Sequence, residues 1–381
     1  MKKRLLAVGL VAALLLSGCQ TPEQEFEKDM GAYLAEIEAV GVSCAVVKDN
    51  QLIYHHNFGV KDLATQEPVD DQTVFRIASI SKSFTATSLL QQVEQGRVSL
   101  TDDVSDLIGF KVRNPKFPDT PITLEMLLSH TSSINDDLGY WTTIDIINPD
   151  VNPDAAQCYN DYEPGSGGYE YCNLNLNMAG TILERVSGER FDQYVVDHVL
   201  RPLDLYGGYC VDSLDKSRFA HLYDWNAAEG KFVDNYEDAY APRSEKVADY
   251  TMGHDALIFS PTGGMKISAL DLARYMTMHM NYGTTPDGVR IISEESSRNM
   301  QAPRSEAEHY GLNLWLADDY VPGVTLVGHT GGAYGLSSAM FFNPEEKYGF
   351  VIICSGSHDA EGTHNVLHQG IARMYKYFIA K

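Results

Sequence analysis

The apolar residues at the start of the chain follow first a helical and then a strand spacing. Two β-rich runs, over residues 42–48 and 51–60, flank Asp49-Asn50, a pair typical of a hairpin turn. Before them, apolar residues recur every three or four positions, as on one face of a helix that we expect to end at Gly41; they are Phe26, Met30, Tyr33, Leu34 and Ile37. The chain therefore begins with a helix and two antiparallel strands.

A second helix is expected over residues 79–93, where apolar residues again share one face and Gly96 closes the C-terminal end. Beyond it, strand signals fade as far as about residue 245. Helical patches alternate there with loops rich in Pro, Gly and Asn; the patches lie at 124–128, 174–186 and 191–200. We therefore expect a mostly helical insertion over about residues 96–249.

Strand signals return after Gly253, so both ends of the chain supply strands. The expected elements are a helix over 270–280, strands over 324–329, 337–342 and 349–355, and a closing helix from about 363 to 378. The sequence predicts an α+β fold in which an antiparallel sheet, built from about 25–95 and 250–381, is flanked by helices and interrupted by the helical insertion. A cleft between the two parts is the expected active site.

The N-terminus has the pattern of an export signal. A basic start is followed by apolar residues 5–16, a run too short for a transmembrane helix. Leu16-Ser17-Gly18-Cys19 then resembles the bacterial lipobox, in which the cysteine carries lipid. We expect a signal peptide over 1–18, a tether over 19–24 that is lipidated at Cys19 and held at the membrane, and a folded domain over 25–381. A plain signal peptide is the alternative.

Gln20 follows Cys19 at a position where, by resemblance to the lipoprotein sorting rule, Asp favours the inner membrane. The outer membrane of the bacterial envelope is therefore the expected location. The formal net charge is −23, from 52 acidic and 29 basic residues, and no basic block stands out beyond the first four residues. Nucleic acid is therefore not an expected partner. The sequence leaves the oligomeric state open.

The remaining cysteines leave the disulfide pattern open. An exported protein occupies a compartment where disulfides persist. Cys158 with Cys172 and Cys172 with Cys210 are both compatible with the sequence. No metal and no cofactor are predicted, because the best-spaced pair, His364 and His368, has no third ligand.

Ser79 and Lys82 are the first candidates for catalysis. They are three residues apart at the start of a helix, so their side chains lie on one face and can touch. A lysine deprotonates a serine only as a neutral amine, and lowering its pKa from about 10.4 requires burial and nearby positive charge. The same Ser-x-x-Lys spacing recurs at residues 213–216, among charged residues in a predicted loop. We interpret that second match as chance.

The sequence around Ser79 resembles the nucleophile motif of the class C β-lactamase, DD-peptidase and esterase family of serine hydrolases, which includes penicillin-binding-protein-like members. Residues 75–85 are Phe-Arg-Ile-Ala-Ser-Ile-Ser-Lys-Ser-Phe-Thr. Other family segments follow in order; they are 122–132, Tyr171-Cys172-Asn173, 261–271 beginning Pro-Thr-Gly-Gly, and His329-Thr330-Gly331. The resemblance covers about residues 30–375 and implies a β-lactamase/transpeptidase-like fold.

The resemblance also implies roles in acyl transfer. Ser79 is the nucleophile, and Lys82 and Tyr171 share the proton transfers, with the base at each step left open. We expect cationic Lys82 to lower the pKa of Tyr171. The implied substrate-binding residues are Asn173, His329, Thr330 and Gly331, and the implied oxyanion donors are the backbone N–H groups of Ser79 and Gly332. A loop-fixing role is the alternative for Asn173.

The chain departs from the family pattern at His329, where many of these β-lactamases have Lys. Lys is cationic and attracts the carboxylate of a penicillin, whereas His is mostly neutral at pH 7. Efficient β-lactam turnover is therefore not expected, and a structural role is the alternative for His329. Ser133 stands where the family often has Gly. We interpret His130 as structural.

The sequence thus predicts an enzyme, a serine hydrolase that acts through an acyl-enzyme on an amide or ester. The resemblance implies a DD-peptidase-like or β-lactamase-related activity on small-molecule or peptide substrates, namely D-amino-acid peptides of the cell-wall type or β-lactams. One alternative is a short-chain carboxylesterase or D-amino-acid amidase. Another is a non-catalytic lipoprotein that binds cell-wall peptides.

Overall fold

The computed structural model of the chain describes residues 20–305, 308–358 and 365–380. The predicted signal peptide over 1–18, the lipidation site Cys19, and His364 lie outside these ranges. The strands are β1 Gly41–Lys48, β2 Gln51–Asp62, β3 Glu67–Pro68, β4 Phe75–Arg76, β5 Gly207–Gly208, β6 Tyr223–Asn226, β7 Lys231–Asp234, β8 Lys266–Ile267, β9 Trp315–Val321, β10 Val324–Ala333, β11 Leu336–Asn343 and β12 Tyr348–Cys354.

The helices connect these strands and cover the sheets. They are α1 Pro22–Glu36, α2 Ser81–Glu94, α3 Val104–Ile108, α4 Leu124–Leu128, α5 Asn173–Ser187, α6 Phe191–Val195, α7 Tyr236–Ala239, α8 Ser244–Ala248, α9 Ala269–Met280, α10 Glu294–Gln301 and α11 Asn365–Met374. Short π-helical turns extend α6 over Val196–Leu200 and α11 over Tyr375–Ile379.

The large sheet is antiparallel and is built from both ends of the chain, which confirms the predicted fold class. Its strand order is β3-β2-β1-β12-β11-β10-β9. The central pair joins the two ends of the chain, from Val42 opposite Cys354 to Lys48 opposite Tyr348. Asp49 and Asn50 have φ of 52° and 66°, as a tight turn between two twisted strands requires.

Strand β12 is buried on both faces, which fixes where the core lies. Phe350 and Ile352 belong to an apolar cluster with α1 and α11, whereas Val351 and Ile353 belong to a larger cluster that contains α2, α5 and α9. Successive side chains of a strand point to opposite faces, so a strand between two helical layers is apolar at every position. The sheet thus separates two cores, and the active-site elements lie on the side of the larger one.

Some boundaries and elements differ from the predictions. Helix α1 begins at Pro22, within the predicted tether, with Thr21 as its N-cap. It ends at Glu36, and Gly41 is the first residue of β1 instead of the end of the helix. A Cβ at Gly41 would lie 2.4 Å from the Val60 carbonyl oxygen, so the strand needs a glycine there. Strand β9 and helix α10 were not predicted. The insertion contains β5 and the hairpin β6–β7 besides its helices, and these strands are short and partly exposed. The limits of the domain parts stay a prediction.

The cysteines of the described residues are all free thiols. Neither pairing that the sequence left open, Cys158 with Cys172 or Cys172 with Cys210, is formed. Within the same residues, no three His, Cys, Asp or Glu side chains are grouped so that they could hold a metal ion. No described helix combines the length and hydropathy needed to cross a membrane.

Candidate active site

Ser79 lies in the turn between β4 and α2. Ala78 has a φ of 47°, which is uncommon for a residue with a Cβ, and a single 3₁₀ turn over Ala78–Ile80 then leads into α2. Ser81 fixes this turn, because its hydroxyl donates to the Ala78 carbonyl and accepts the N–H of Met265. The turn leaves Ser79 partly exposed, while Lys82 is fully buried.

Lys82 has three oxygen neighbours. Its Nζ lies 3.0 Å from Ser79 Oγ, 2.9 Å from Asn173 Oδ1 and 3.0 Å from the Thr262 carbonyl oxygen. A neutral amine has two N–H donors and one lone pair. When the two protons are directed to Asn173 and Thr262, the lone pair faces the hydroxyl of Ser79. The amine is therefore placed to accept the Ser79 proton.

Burial makes this neutral form accessible, since it lowers the pKa of Lys82 from 10.5 to about 7. The sequence-based expectation that positive charge assists is wrong. The charged neighbour is the Asp136 carboxylate, which raises the pKa of Lys82 and so opposes the effect of burial. The lowering of the Lys82 pKa by desolvation is larger than the increase caused by Asp136.

Tyr171 lies close to both residues. Lys82 Nζ is 4.7 Å from the centre of its ring, and Tyr171 lines the same cavity as Ser79, whose hydroxyl acts on its pKa. Burial raises the pKa of Tyr171 well above its usual range, although the Ser79 hydroxyl opposes this. The expectation that Lys82 lowers this pKa is wrong, because the phenol is buried and burial also favours the neutral form of Lys82. Tyr171 is thus a proton donor at neutral pH.

Asp136 and Asn173 hold the amine from the other side. Asn173 Nδ2 donates to Asp136 at 2.9 Å, and Asn173 Oδ1 accepts from Thr262 Oγ1 at 2.8 Å as well as from Lys82. Asp136 also accepts the backbone N–H groups of Asn173 and Leu174, at 2.8 and 2.9 Å. These are among the first N–H groups of α5, which have no partner within the helix. One carboxylate therefore fixes both the helix and the amide.

Nothing in the sequence pattern singled out Asp136. It precedes Asn173 by 37 positions and lies in a loop, so no periodicity or short motif connects the two. The cue that the sequence does offer is indirect. Helix α5 has no side-chain cap from its own N-cap residue, Cys172, and so needs an acceptor from elsewhere in the chain.

Strand β10 passes close to the backbone of Ser79. A Cβ on Gly331 would lie 2.2 Å from the Ile77 carbonyl oxygen and 3.0 Å from the Ser79 nitrogen, so only glycine permits this approach. Ser338 on β11 donates to the same Ile77 carbonyl at 3.0 Å. Gly332, the next residue, lines the cavity in front of Ser79. This arrangement suits an oxyanion hole, and the two N–H donors stay a prediction.

His329 lies behind the wall of the cavity. Only 1% of it is exposed, and its Nδ1 bonds the Thr330 carbonyl, which can only accept. Nε2 is then the acceptor for the hydroxyl of Tyr310, at 2.8 Å. Burial lowers the pKa of His329 to about 3, so the ring is neutral. Substrate contacts of His329, Thr330 and Gly331 stay a prediction. The imidazole itself supplies no cation, and both of its nitrogens are bonded.

His130 supports the segment that carries Tyr171. The two rings lie 4.5 Å apart, and His130 Nδ1 accepts the N–H of Cys172 at 3.2 Å. Burial, followed by the charge of Lys82, holds the pKa of His130 well below its usual range. These contacts fit the structural interpretation. Ser133 has a φ of 62°, a conformation that the Gly of related sequences adopts at lower cost.

A cavity of about 820 Å³ opens in front of Ser79. The sheet supplies one wall at Gly332, and the insertion supplies another through residues 140–143. Trp141, which is 69% exposed, stands among these residues. A substrate in this cavity meets Ser79, Tyr171 and Asn173 together.

The chain is similar in sequence to known proteins. The model of the Beta-lactamase family matches residues 26–371. The chain is 28% identical over 331 residues to penicillin-binding protein 4 of Amycolatopsis lactamdurans, which covers 81% of this chain and 80% of that protein. It is 24% identical over 320 residues to Protein flp of Staphylococcus aureus, which covers 83% of this chain and 59% of that protein. The chain thus spans about three fifths of the length of Protein flp.

Solved structures give the same result. The octameric penicillin-binding protein homologue from Pyrococcus abyssi superposes with a TM-score of 0.71 at 26% identity, over 92% of this chain and 78% of that one. D-amino acid amidase from Ochrobactrum anthropi SV3 superposes with a TM-score of 0.73 at 21% identity, over 93% and 98%, and this likeness shows the fold alone. The resemblance that the sequence motifs indicated is confirmed.

The charge of Asp136 should be visible in the pH dependence of catalysis. For the wild type, kcat/KM should rise with pH through about 7, the pKa of Lys82, because only the neutral amine accepts the Ser79 proton. Asp136 raises that pKa, so Asp136→Asn should move the rise to lower pH by up to about one unit. Hydrolysis of p-nitrophenyl butyrate, followed at the isosbestic wavelength of the product, measures the profile.

Asp137→Asn is the matched control for this experiment. Asp137 is the exposed neighbour of Asp136 and bonds neither Asn173 nor α5 in the described hydrogen bonds, so its loss should leave the profile in place. Circular dichroism confirms that each variant is folded. A rise that moves to higher pH in Asp136→Asn, or that does not move, contradicts the assignment of Lys82 as the base.

Proposed function

The chain belongs to the Beta-lactamase family of serine hydrolases, and we propose that it cleaves amide bonds of D-amino-acid peptides and amides through an acyl-enzyme on Ser79. The observation that carries the proposal is the contact between Lys82 Nζ and Ser79 Oγ at 3.0 Å, made by a buried amine whose pKa is about 7. Such a pair activates serine without a histidine. An intact pair of this kind favours an enzyme over a non-catalytic binding protein.

Acylation requires one proton to leave Ser79 and one to reach the leaving amine. Ser79 Oγ attacks the carbonyl carbon while Lys82 takes its proton, and the developing oxyanion faces the backbone of Ser79 and Gly332. Tyr171 protonates the departing nitrogen as its bond to carbon breaks, and the Lys82 ammonium returns a proton to the phenolate. In deacylation, water attacks the ester carbonyl and gives one proton to Lys82; the bond between the carbonyl carbon and Ser79 Oγ then breaks, and the Lys82 ammonium passes that proton to Oγ.

The leaving-group preference follows from the surroundings of His329. A β-lactam carries a carboxylate beside its scissile amide, and a lysine at this position would attract it. The imidazole of His329 is neutral and bonded at both nitrogens. We therefore favour linear D-amino-acid amides and peptides whose leaving group has no carboxylate beside the scissile bond over penicillins and cephalosporins. The name of the structural neighbour D-amino acid amidase accords with this preference.

A substrate panel tests the proposed function. We expect D-alanine p-nitroanilide, whose leaving group carries no carboxylate, to give a kcat/KM at least about 100-fold higher than nitrocefin, because His329 lends the β-lactam carboxylate no charge. A D-Ala-D-Ala peptide, which carries a carboxylate on its leaving group, and p-nitrophenyl butyrate, as the ester reference, complete the panel. Ser79→Ala should lose about 10³-fold or more on every substrate that is cleaved. A fluorophosphonate should label the Ser79 peptide of the wild type and leave Ser79→Ala unlabelled.

Ser213→Ala is the matched control, since Ser213 belongs to the second Ser-x-x-Lys match of the sequence and does not line the cavity of Ser79. It should keep full activity and full labelling. Nitrocefin as the preferred substrate would refute the amide preference, and activity that survives Ser79→Ala would refute the nucleophile.

We further propose that the enzyme is a lipoprotein of the bacterial envelope, on the outer rather than the inner membrane. The basic and apolar residues of 1–18, Cys19 and Gln20 support this. An enzyme in that place has access to cell-wall peptides. Metabolic labelling with a palmitate analogue in a bacterial host should mark the wild type and not Cys19→Ala, whereas Cys44→Ala, which removes a buried thiol of β1, should stay labelled. Equal labelling of the wild type and Cys19→Ala contradicts the proposal.

A further inference from the structure

Positive charge collects in the cavity of a protein that is acidic overall. Arg76, Arg243 and Lys246 line the cavity, although the chain as a whole carries a net charge of −23. Two carboxylates also line it. Asp255 is already bonded to the side chain of His254 and to a backbone N–H, and Asp238 is exposed. Cations that are held in a concave site raise the local concentration of anionic ligands.

Arg76 is a fixed part of the wall. Its Nε donates to the Gly263 carbonyl at 2.9 Å and its Nη1 to the Ala239 carbonyl at 3.0 Å. Its guanidinium lies over the ring of Tyr334, 4.8 Å from the centre. The Arg76 side chain is therefore held in place by the protein itself, and its positive charge is present in the cavity before a ligand binds.

Arg243 differs from Arg76 because part of its guanidinium is buried without a partner. Its Nε is inaccessible to solvent and has no hydrogen-bond acceptor among the described residues. The nearby carboxylate of Asp212 accepts the backbone N–H of Arg243, at 2.6 Å. Burial and, after it, the charge of Arg76 lower the pKa of Arg243, although Asp212 opposes this. Because Arg243 also lines the cavity, a carboxylate of the substrate would compensate the charge of its guanidinium through a charge-assisted hydrogen bond.

The position of the cations relative to Ser79 indicates which part of the substrate they meet. Tyr171, the donor for the leaving group, lies beside His329, with 6.2 Å between the ring centres. Strand β10 runs from His329 past Gly332 and ends at Ala333, and Tyr334 follows in the turn. Tyr334, whose ring lies under the Arg76 guanidinium, is therefore at the other end of this part of the strand from His329. The leaving group therefore lies toward His329, and the acyl group lies toward Tyr334 and the arginines.

We propose that Arg243 binds a carboxylate on the acyl part of the substrate, so that the enzyme prefers acidic D-acyl groups such as D-glutamyl. The preference rests on the amide hydrolysis proposed above and specifies its substrate class. Arg76 and Lys246 add long-range attraction, and Arg243 makes the directed contact. The preference weakens as salt is added, since partly exposed charges are screened.

Two substrates of nearly identical shape isolate the charge. D-glutamate α-p-nitroanilide and D-glutamine p-nitroanilide differ by one carboxylate, and release of nitroaniline reports cleavage of both. The wild type should cleave the glutamate substrate with a kcat/KM about tenfold higher, the effect of one charge-assisted contact. Arg243→Gln should bring the ratio to about one and leave the glutamine substrate within about twofold of wild type. Arg243→Glu should reverse the preference.

Arg201→Gln is the matched control, because Arg201 is an exposed arginine that pairs with Asp197 away from the cavity. It makes the same change in net charge and should keep the tenfold ratio. Equal cleavage of the two anilides by the wild type, or a ratio that survives Arg243→Gln, overturns the carboxylate site alone. If neither anilide is cleaved, the proposed amide hydrolysis fails and the carboxylate site fails with it.

Discussion

The active site depends on keeping one amine neutral beside one hydroxyl. A lysine in water holds its proton up to about pH 10.4, and removing that proton at pH 7 costs about 4–5 kcal/mol. Lys82 meets this requirement because it is completely buried. Asn173 and the Thr262 carbonyl accept the two protons of the neutral amine, and the Ser79 hydroxyl faces its lone pair. Each acceptor comes from a different part of the chain, so the chemistry depends on the whole fold.

The fold supplies these contacts through close backbone approaches. The pairing of β1 with β12 joins the two ends of the chain, and β10 then reaches the turn of Ser79, where a side chain on Gly331 would collide. Asp136 ties the insertion to the site through α5 and Asn173. The same carboxylate that orders the helix also raises the pKa of Lys82, so the order of the site and the reactivity of its base are coupled.

Features with local patterns could be predicted from the sequence, and features that depend on distant contacts could not. The apolar run at β12 and the spacing of Ser79 and Lys82 indicated the central strand and the proposed catalytic pair. Asp136 and Tyr310 belong to the site only because loops far apart in sequence meet there. The pKa of Tyr171 was predicted to fall but is raised, because the sequence suggests the charged neighbours of Tyr171 but not the depth of its burial. Burial is a property of the folded whole.

The central claim is that the pKa of Lys82 is near 7 in the folded enzyme, so that a large fraction of its amine is neutral at neutral pH. NMR of lysine labelled at Cε and Nζ measures this directly when the Lys82 signal is assigned by its absence in Lys82→Arg. The titration of that signal should have its midpoint near pH 7. A Lys82 signal that remains that of an ammonium up to about pH 10 would contradict the account.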